Sequence, residues 1–208
     1  PHQNAPLFAA VESDVVGYST TTSTAGFNMY AVVFSGLDGK PAKISDVVSG
    51  DFQENDEIQI FSESGAYDTY FYSEGKWFSG LTFEESTNLL PVGTSFWVKT
   101  AAPTQITLKG AVLEGDYSYM GRLGYQMVSF GVPKEVPLNG DSVVWENLTN
   151  NDELQIRNGE SYKTYFYNDG AWYDGVDFSR TTDKVPIGAS VWLRAQNAAP
   201  SFVVKGLN

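Results

Sequence analysis

Apolar and polar side chains alternate with a period of two along much of the chain. In Thr94-Ser95-Phe96-Trp97-Val98-Lys99, Phe96 and Val98 share one face, and Trp97 lies with Ser95 and Lys99. The counterpart stretch puts Val191 and Leu193 on one face and Trp192 with Ser190 and Arg194 on the other. That period belongs to a half-buried β-strand, because successive side chains of a strand point to opposite faces. Aromatic strands flank short polar turns in Thr69-Tyr70-Phe71-Tyr72-Ser73-Glu74-Gly75-Lys76-Trp77-Phe78 and in Thr164-Tyr165-Phe166-Tyr167-Asn168-Asp169-Gly170-Ala171-Trp172-Tyr173. Gly75 and Gly170 stand where a hairpin loop requires a positive φ, so each stretch predicts a β-hairpin at the centre of a larger sheet. Strands are also expected at 15–18 and 27–34, separated by a Thr/Ser-rich loop at 19–24. Residues 44–48 and 83–90 are expected to form short helical turns. The fold class is all-β, as two tandem homologous β-sandwich or barrel-like domains with short helical turns.

The tandem reading comes from motifs that recur in order. Asn55-Asp56-Glu57-Ile58-Gln59-Ile60 answers Asn151-Asp152-Glu153-Leu154-Gln155-Ile156, and the hairpins follow. Pro91-Val92-Gly93-Thr94-Ser95-Phe96-Trp97 answers Pro186-Ile187-Gly188-Ala189-Ser190-Val191-Trp192. The spacing runs from 95 (69→164) through 96 (59→155) to 98 (26→124) residues. A period that long suits whole domains rather than solenoid repeats. The expected division is an N-terminal extended segment, 1–10, then β-domain repeats at 11–110 and 111–208.

The Gly-x-Asn-Met strand (Gly26–Met29), the Asp-x-Ile-Gln strand (Asp56–Gln59), the Tyr-rich hairpin and the Pro-x-Gly-x-x-x-Trp strand (Pro91–Trp97) form a pattern. It resembles uncharacterised secreted bacterial tandem β-repeat proteins. The resemblance covers nearly the whole chain and implies no activity. Many members carry an apolar-Pro-Phe sequence after the Met strand, and Tyr30-Ala31-Val32-Val33-Phe34 lacks the proline.

Composition narrows the chemistry. The net charge of −12 argues against nucleic acid, whose phosphates call for a basic surface. There is no cysteine, and the single histidine is His2, which removes thiolate, Ser-His-Asp and His-ligated metal chemistry almost entirely. No apolar run reaches transmembrane length, so no membrane insertion is expected. The chain starts at Pro1, as a processed mature chain would; an extracellular or cell-surface location is expected. Phosphate-loop and dinucleotide fingerprints are absent, and no carboxylate pair stands out beyond Asp56-Glu57 and Asp152-Glu153. The chain therefore reads as non-enzymatic, without catalytic residues or cofactors. Those acidic pairs are the weak calcium candidates, for which an Asx-turn is the competing explanation.

Two functions remain. The first is a structural subunit of an extracellular fibre or surface layer, self-associating through its N-terminal segment. Leu7, Phe8 and Val11 would anchor it by adding a strand to a neighbour. The halves differ in charge, −8 for 1–110 and −4 for 111–208, and all four arginines fall in the second, which would favour head-to-tail contact between molecules. The alternative is a carbohydrate-binding or adhesive module. Its platform would be Tyr72, Trp77, Trp97, Tyr167, Trp172 and Trp192, because pyranose C–H faces stack on rings. The competing explanation is that these rings are core. Trp97 and Trp192 in particular are expected to be covered by a loop, a second sheet or the other domain.

Overall fold

The computed structural model describes residues 15–61 and 66–207; Leu7, Phe8 and Val11 lie outside them. The N-terminal half contributes strands β1 (Val16–Thr22), β2 (Gly26–Ala31), β3 (Ala42–Lys43), β4 (Val48–Gly50) and β5 (Glu57–Phe61). It continues with β6 (Tyr67–Ser73), β7 (Lys76–Ser79), β8 (Leu89–Leu90), β9 (Ser95–Thr100) and β10 (Gln105–Ala111). The C-terminal half contributes β11 (Tyr117–Met120), β12 (Gly124–Ser129), β13 (Val136–Pro137), β14 (Val143–Glu146) and β15 (Glu153–Asn158). Then follow β16 (Ser161–Asn168), β17 (Ala171–Asp174), β18 (Lys184–Val185), β19 (Ser190–Ala195) and β20 (Ser201–Val204). One four-residue helix, α1 (Ile44–Val47), is the only α-helix among the described residues. The chain is all-β, built from small antiparallel sheets that close into barrel-like units.

The strand order β2-β9-β5-β6-β7 in the first half recurs as β12-β19-β15-β16-β17 in the second. Likewise β1-β10-β4 recurs as β11-β20-β14, and β3-β8 as β13-β18. Each half closes on its own apolar core. One core is built around Phe96, Val98, Ile58, Tyr70 and Trp77, the other around Val191, Leu193, Leu154, Tyr165 and Trp172.

Alternation explains which rings are inside. Tyr72 pairs with Trp77 and Tyr167 with Trp172, so each pair shares a face, and that face is the core. The tyrosines can go in because their hydroxyls find partners. Tyr70 accepts a hydrogen bond from Asn88 Nδ2 at 2.9 Å, and Tyr165 donates to Asp183 at 2.6 Å. The phenylalanine between them turns outward. Phe71 stacks on Phe78 at 5.7 Å, as Phe166 does on Tyr173 at the same separation. Both hairpin glycines have φ +82.

Three local expectations are corrected. Residues 19–22 are not loop: they continue β1, held by register to β10 from Val16↔Ala111 to Thr22↔Gln105. The next strand ends at Ala31, and Val32, Val33 and Phe34 run on as buried chain outside any strand. Residues 83–90 form no helical turn. Phe83 has φ +58, which cannot continue a right-handed helix, and Leu89–Leu90 pairs with β3 instead.

The halves meet outer face to outer face. Ser190 Oγ lies 2.6 Å from Ser95 Oγ, and the ring of Trp192 lies 6.4 Å from that of Trp97. Each of these residues touches its own counterpart, 95 positions along the chain. Reciprocally, β2 lies against β19 and β12 against β9. Contacts of a residue with its own counterpart mark an isologous interface around a local two-fold, not a head-to-tail one. The symmetry is broken on one flank, where the Ala31 N–H donates to the Gly188 carbonyl at 2.8 Å.

Candidate functional site

Two clefts flank the seam, and their linings share several counterpart positions. The larger, of about 570 Å³, runs between Phe61 and Tyr67 on one side and Tyr119, Met120, Arg122 and Tyr125 on the other, with Trp192 and Met127 also lining it. The smaller, of about 220 Å³, is lined by Thr21, Thr22, Thr24, Met29, Tyr30 and Arg157, among others. Met127 corresponds to Met29, Arg122 to Thr24 and Tyr119 to Thr21, each 98 positions apart; Phe61 corresponds to Arg157, 96 apart. The same scaffold position is thus aromatic on one flank and cationic on the other.

Elements from both halves build the larger cleft. Phe61 ends β5 and Tyr67 begins β6, and their rings meet edge to face at 5.2 Å. The Arg122 guanidinium crosses from the C-terminal half to lie 5.4 Å from the Phe61 ring centre. Tyr125, on β12, is 53% exposed and carries the Arg194 guanidinium at 5.4 Å. Such cation–aromatic stacks hold each ring in place while leaving guanidinium donors for a ligand.

The loop carrying Arg122 is shaped by a buried amide. Gln126 Oε1 accepts from the Arg122 N–H at 2.9 Å and from the Tyr119 hydroxyl at 3.0 Å, while its Nε2 donates to the Arg122 carbonyl at 2.6 Å. Asn28 does the same in the other half, accepting from the Thr24 N–H at 3.2 Å and donating to the Thr24 carbonyl at 2.7 Å. This is why the Gly-x-Asn-Met and Gly-x-Gln-Met positions carry an amide, a role the pattern alone did not disclose. Burial pushes the Tyr119 hydroxyl up to about 12, so it stays protonated and donates.

The expected platform divides. Trp77 and Trp172 are 3% and 0% exposed, inside the cores, so these two offer no face to a ligand; Tyr72 and Tyr167 are half-buried against them. Trp97 and Trp192 do lie on the outer faces, half-buried against each other, and Trp192 lines the larger cleft. Phe61, Tyr67, Arg122 and Tyr125 were not anticipated. Phe61 and Tyr67 face Arg122 and Tyr125 only because the two halves dock. The concentration of arginine in the second half was the available signal.

The calcium reading is corrected. Asp56 and Asp152 are buried, and their oxygens already accept backbone N–H groups. Asp152 receives Thr149 N–H at 2.7 Å and Gln196 N–H at 2.8 Å; Asp56 receives Gln53 N–H at 2.8 Å and Ala101 N–H at 3.2 Å. Each carboxylate ties its turn to the end of β9 or β19. Glu57 pairs with Lys99 at 2.8 Å, and Glu153 lies 3.9 Å from Arg194. Among the described residues no cluster of three or more acidic or histidine side chains is arranged to hold a metal.

A separate charged network braces the C-terminal hairpin. Lys163 Nζ lies 2.6 Å from Asp183 and 2.9 Å from Asp174. Those hydrogen bonds, to Asp183 first, hold the Lys163 ammonium well above its ordinary range. Lys163 and then Tyr165 hold Asp183 below the usual carboxylate range; the Val176 N–H and then Lys163 do so for Asp174. The first half has Asp68, Ser79 and Asn88 at the corresponding positions, so this network is a brace of one half rather than a shared site.

No family model matches this chain, and no curated protein or solved structure matches it either.

Proposed function

We propose that the protein is a non-enzymatic, extracellular carbohydrate-binding or adhesive module, and that its ligand occupies the larger cleft at the seam. The observation that carries this reading is the lining: exposed Tyr125, Tyr67 and Phe61 with the half-buried Trp192, and the Arg122 guanidinium stacked on Phe61. A sugar presents apolar C–H faces to rings and hydroxyls to cationic donors, so flat rings interleaved with arginine match both surfaces. The volume is of the order that small-ligand sites occupy. An overall acidic chain disfavours polyanions as the primary ligand. The fibre-subunit reading rests on Leu7, Phe8 and Val11, outside the described residues, and the geometry adds nothing to it.

The test is a glycan array followed by calorimetry on any hit. Tyr125→Ala and Arg122→Ala are each expected to weaken binding about tenfold, the loss of one ring or one charged donor, while circular dichroism stays that of the parent. A protein that binds no glycan, or a hit that both variants retain at full affinity, overturns the proposal.

A further inference from the structure

Arg157 is the side chain whose chemistry the larger cleft leaves unexplained. Its Nε is buried and has no hydrogen-bond partner, and it enters no salt bridge among the described residues. That is unexpected in a chain with 25 acidic residues and only 13 basic ones. A guanidinium donor kept from water without an acceptor costs stability, and a fold retains such a group where something else supplies the acceptor. Arg157 lines the smaller cleft, as do Thr21 and Thr22 at the end of β1. The Tyr30 hydroxyl is close enough for the Arg157 charge to pull against the burial that raises it.

We propose that the smaller cleft is a carboxylate site, with Arg157 as the cation that receives the anion and a lining threonine of β1, Thr21 or Thr22, as a neighbouring donor. The planar fork of a guanidinium matches the two oxygens of a carboxylate. Among the described residues Arg157 is the only basic one lining the cleft, which suits a monoanion better than a dianionic phosphate. The space is a fraction of that in the other cleft, about 220 Å³ against about 570 Å³, and admits one small acid, of the size of a uronic sugar. At the corresponding position of the larger cleft stands Phe61, so this chemistry belongs to one flank alone. The proposal stands independently of the ligand assigned to the larger cleft.

The four arginines make a direct test practical, because their Nε–H signals are few enough to resolve by NMR. Sodium glucuronate titrated at constant ionic strength is expected to shift the Arg157 Nε–H saturably, together with the nearby Met29 methyl. Glucose is expected to shift neither. Acetate moving the same signals identifies the carboxylate as the recognised group. Arg157→Gln should weaken glucuronate about tenfold or more, the loss of a charge-assisted pair, and Arg157→Lys should weaken it less. Tyr125→Ala should leave it unchanged. An Arg157 signal indifferent to glucuronate, an equal response to glucose, or full affinity in Arg157→Gln overturns the proposal.

Discussion

Replacing Asp152 by Asn changes one atom and removes one of two buried acceptors. In the native protein each carboxylate oxygen takes a backbone N–H, from Thr149 at 2.7 Å and Gln196 at 2.8 Å, and the residue is 0% exposed. Asparagine keeps one oxygen and turns an NH₂ toward the other N–H. The change forfeits a hydrogen bond to a charged group, worth about 1.5–3 kcal/mol, and leaves a buried donor facing a donor, about 1–3 kcal/mol more. A destabilisation of roughly 2.5–6 kcal/mol follows, a large share of the ~5–15 kcal/mol by which a typical fold is stable. Asp56→Asn should cost less, because one of its two bonds is longer, at 3.2 Å. Urea unfolding followed by tryptophan fluorescence measures both, with calcium added in a parallel series. Calcium is expected to move neither midpoint. A loss below about 0.5 kcal/mol for Asp152→Asn, or a wild type stabilised by calcium, would refute the staple and restore the metal reading.

Acid should unfold the C-terminal half through its hairpin brace. The depressed Asp183 and Asp174 contribute stability above the unfolded carboxylate range, and it is lost as pH falls through their lower folded values. The raised Lys163 contributes below the unfolded lysine value and loses it only at strongly alkaline pH. Asp183→Asn should therefore flatten the acid limb of a melting-temperature profile and leave neutral-to-mildly-alkaline pH dependence unchanged. Trp172→Ala empties a core position and should cost about 3–5 kcal/mol, whereas Trp97→Ala, half-buried at the seam, should cost less in chemical denaturation. Gly188→Ala should loosen the seam by about 1–3 kcal/mol, because φ is +70 there and an added Cβ would stand 2.3 Å from Leu108 Cδ1; melting temperature reads the loss.

The alternation of Phe96 and Val98 against Trp97 placed the tryptophan on the outer face, and the structure has it there. Parity alone does not say which face of the tyrosine hairpin points inward. Hydrophobicity would send Phe71 to the core and leave the tyrosines out, yet Asn88 and Asp183 satisfy the tyrosine hydroxyls and the order inverts. Trp77 and Trp172 follow their tyrosine partners inward by register. The Asp56 and Asp152 staples were legible as turn residues, since a short carboxylate beside a strand is what an Asx-turn uses. The clefts were not legible, because Arg122 meets Phe61 only after two halves dock, and nothing in local pattern encodes that docking. The amides Asn28 and Gln126 were visible as motif letters, but their function depends on a loop closing back on itself.

The chain has three methionines, and they report separately on the two flanks: Met120 and Met127 line the larger cleft and Met29 the smaller. The decisive measurement is a methionine-methyl NMR titration with an uncharged oligosaccharide identified on the array. Binding in the larger cleft predicts saturable shifts of the Met120 and Met127 methyls, Met29 unmoved, and loss of the response in Tyr125→Ala. Binding with Met120 and Met127 silent, or a response that survives Tyr125→Ala, would contradict the assignment of the ligand to that cleft.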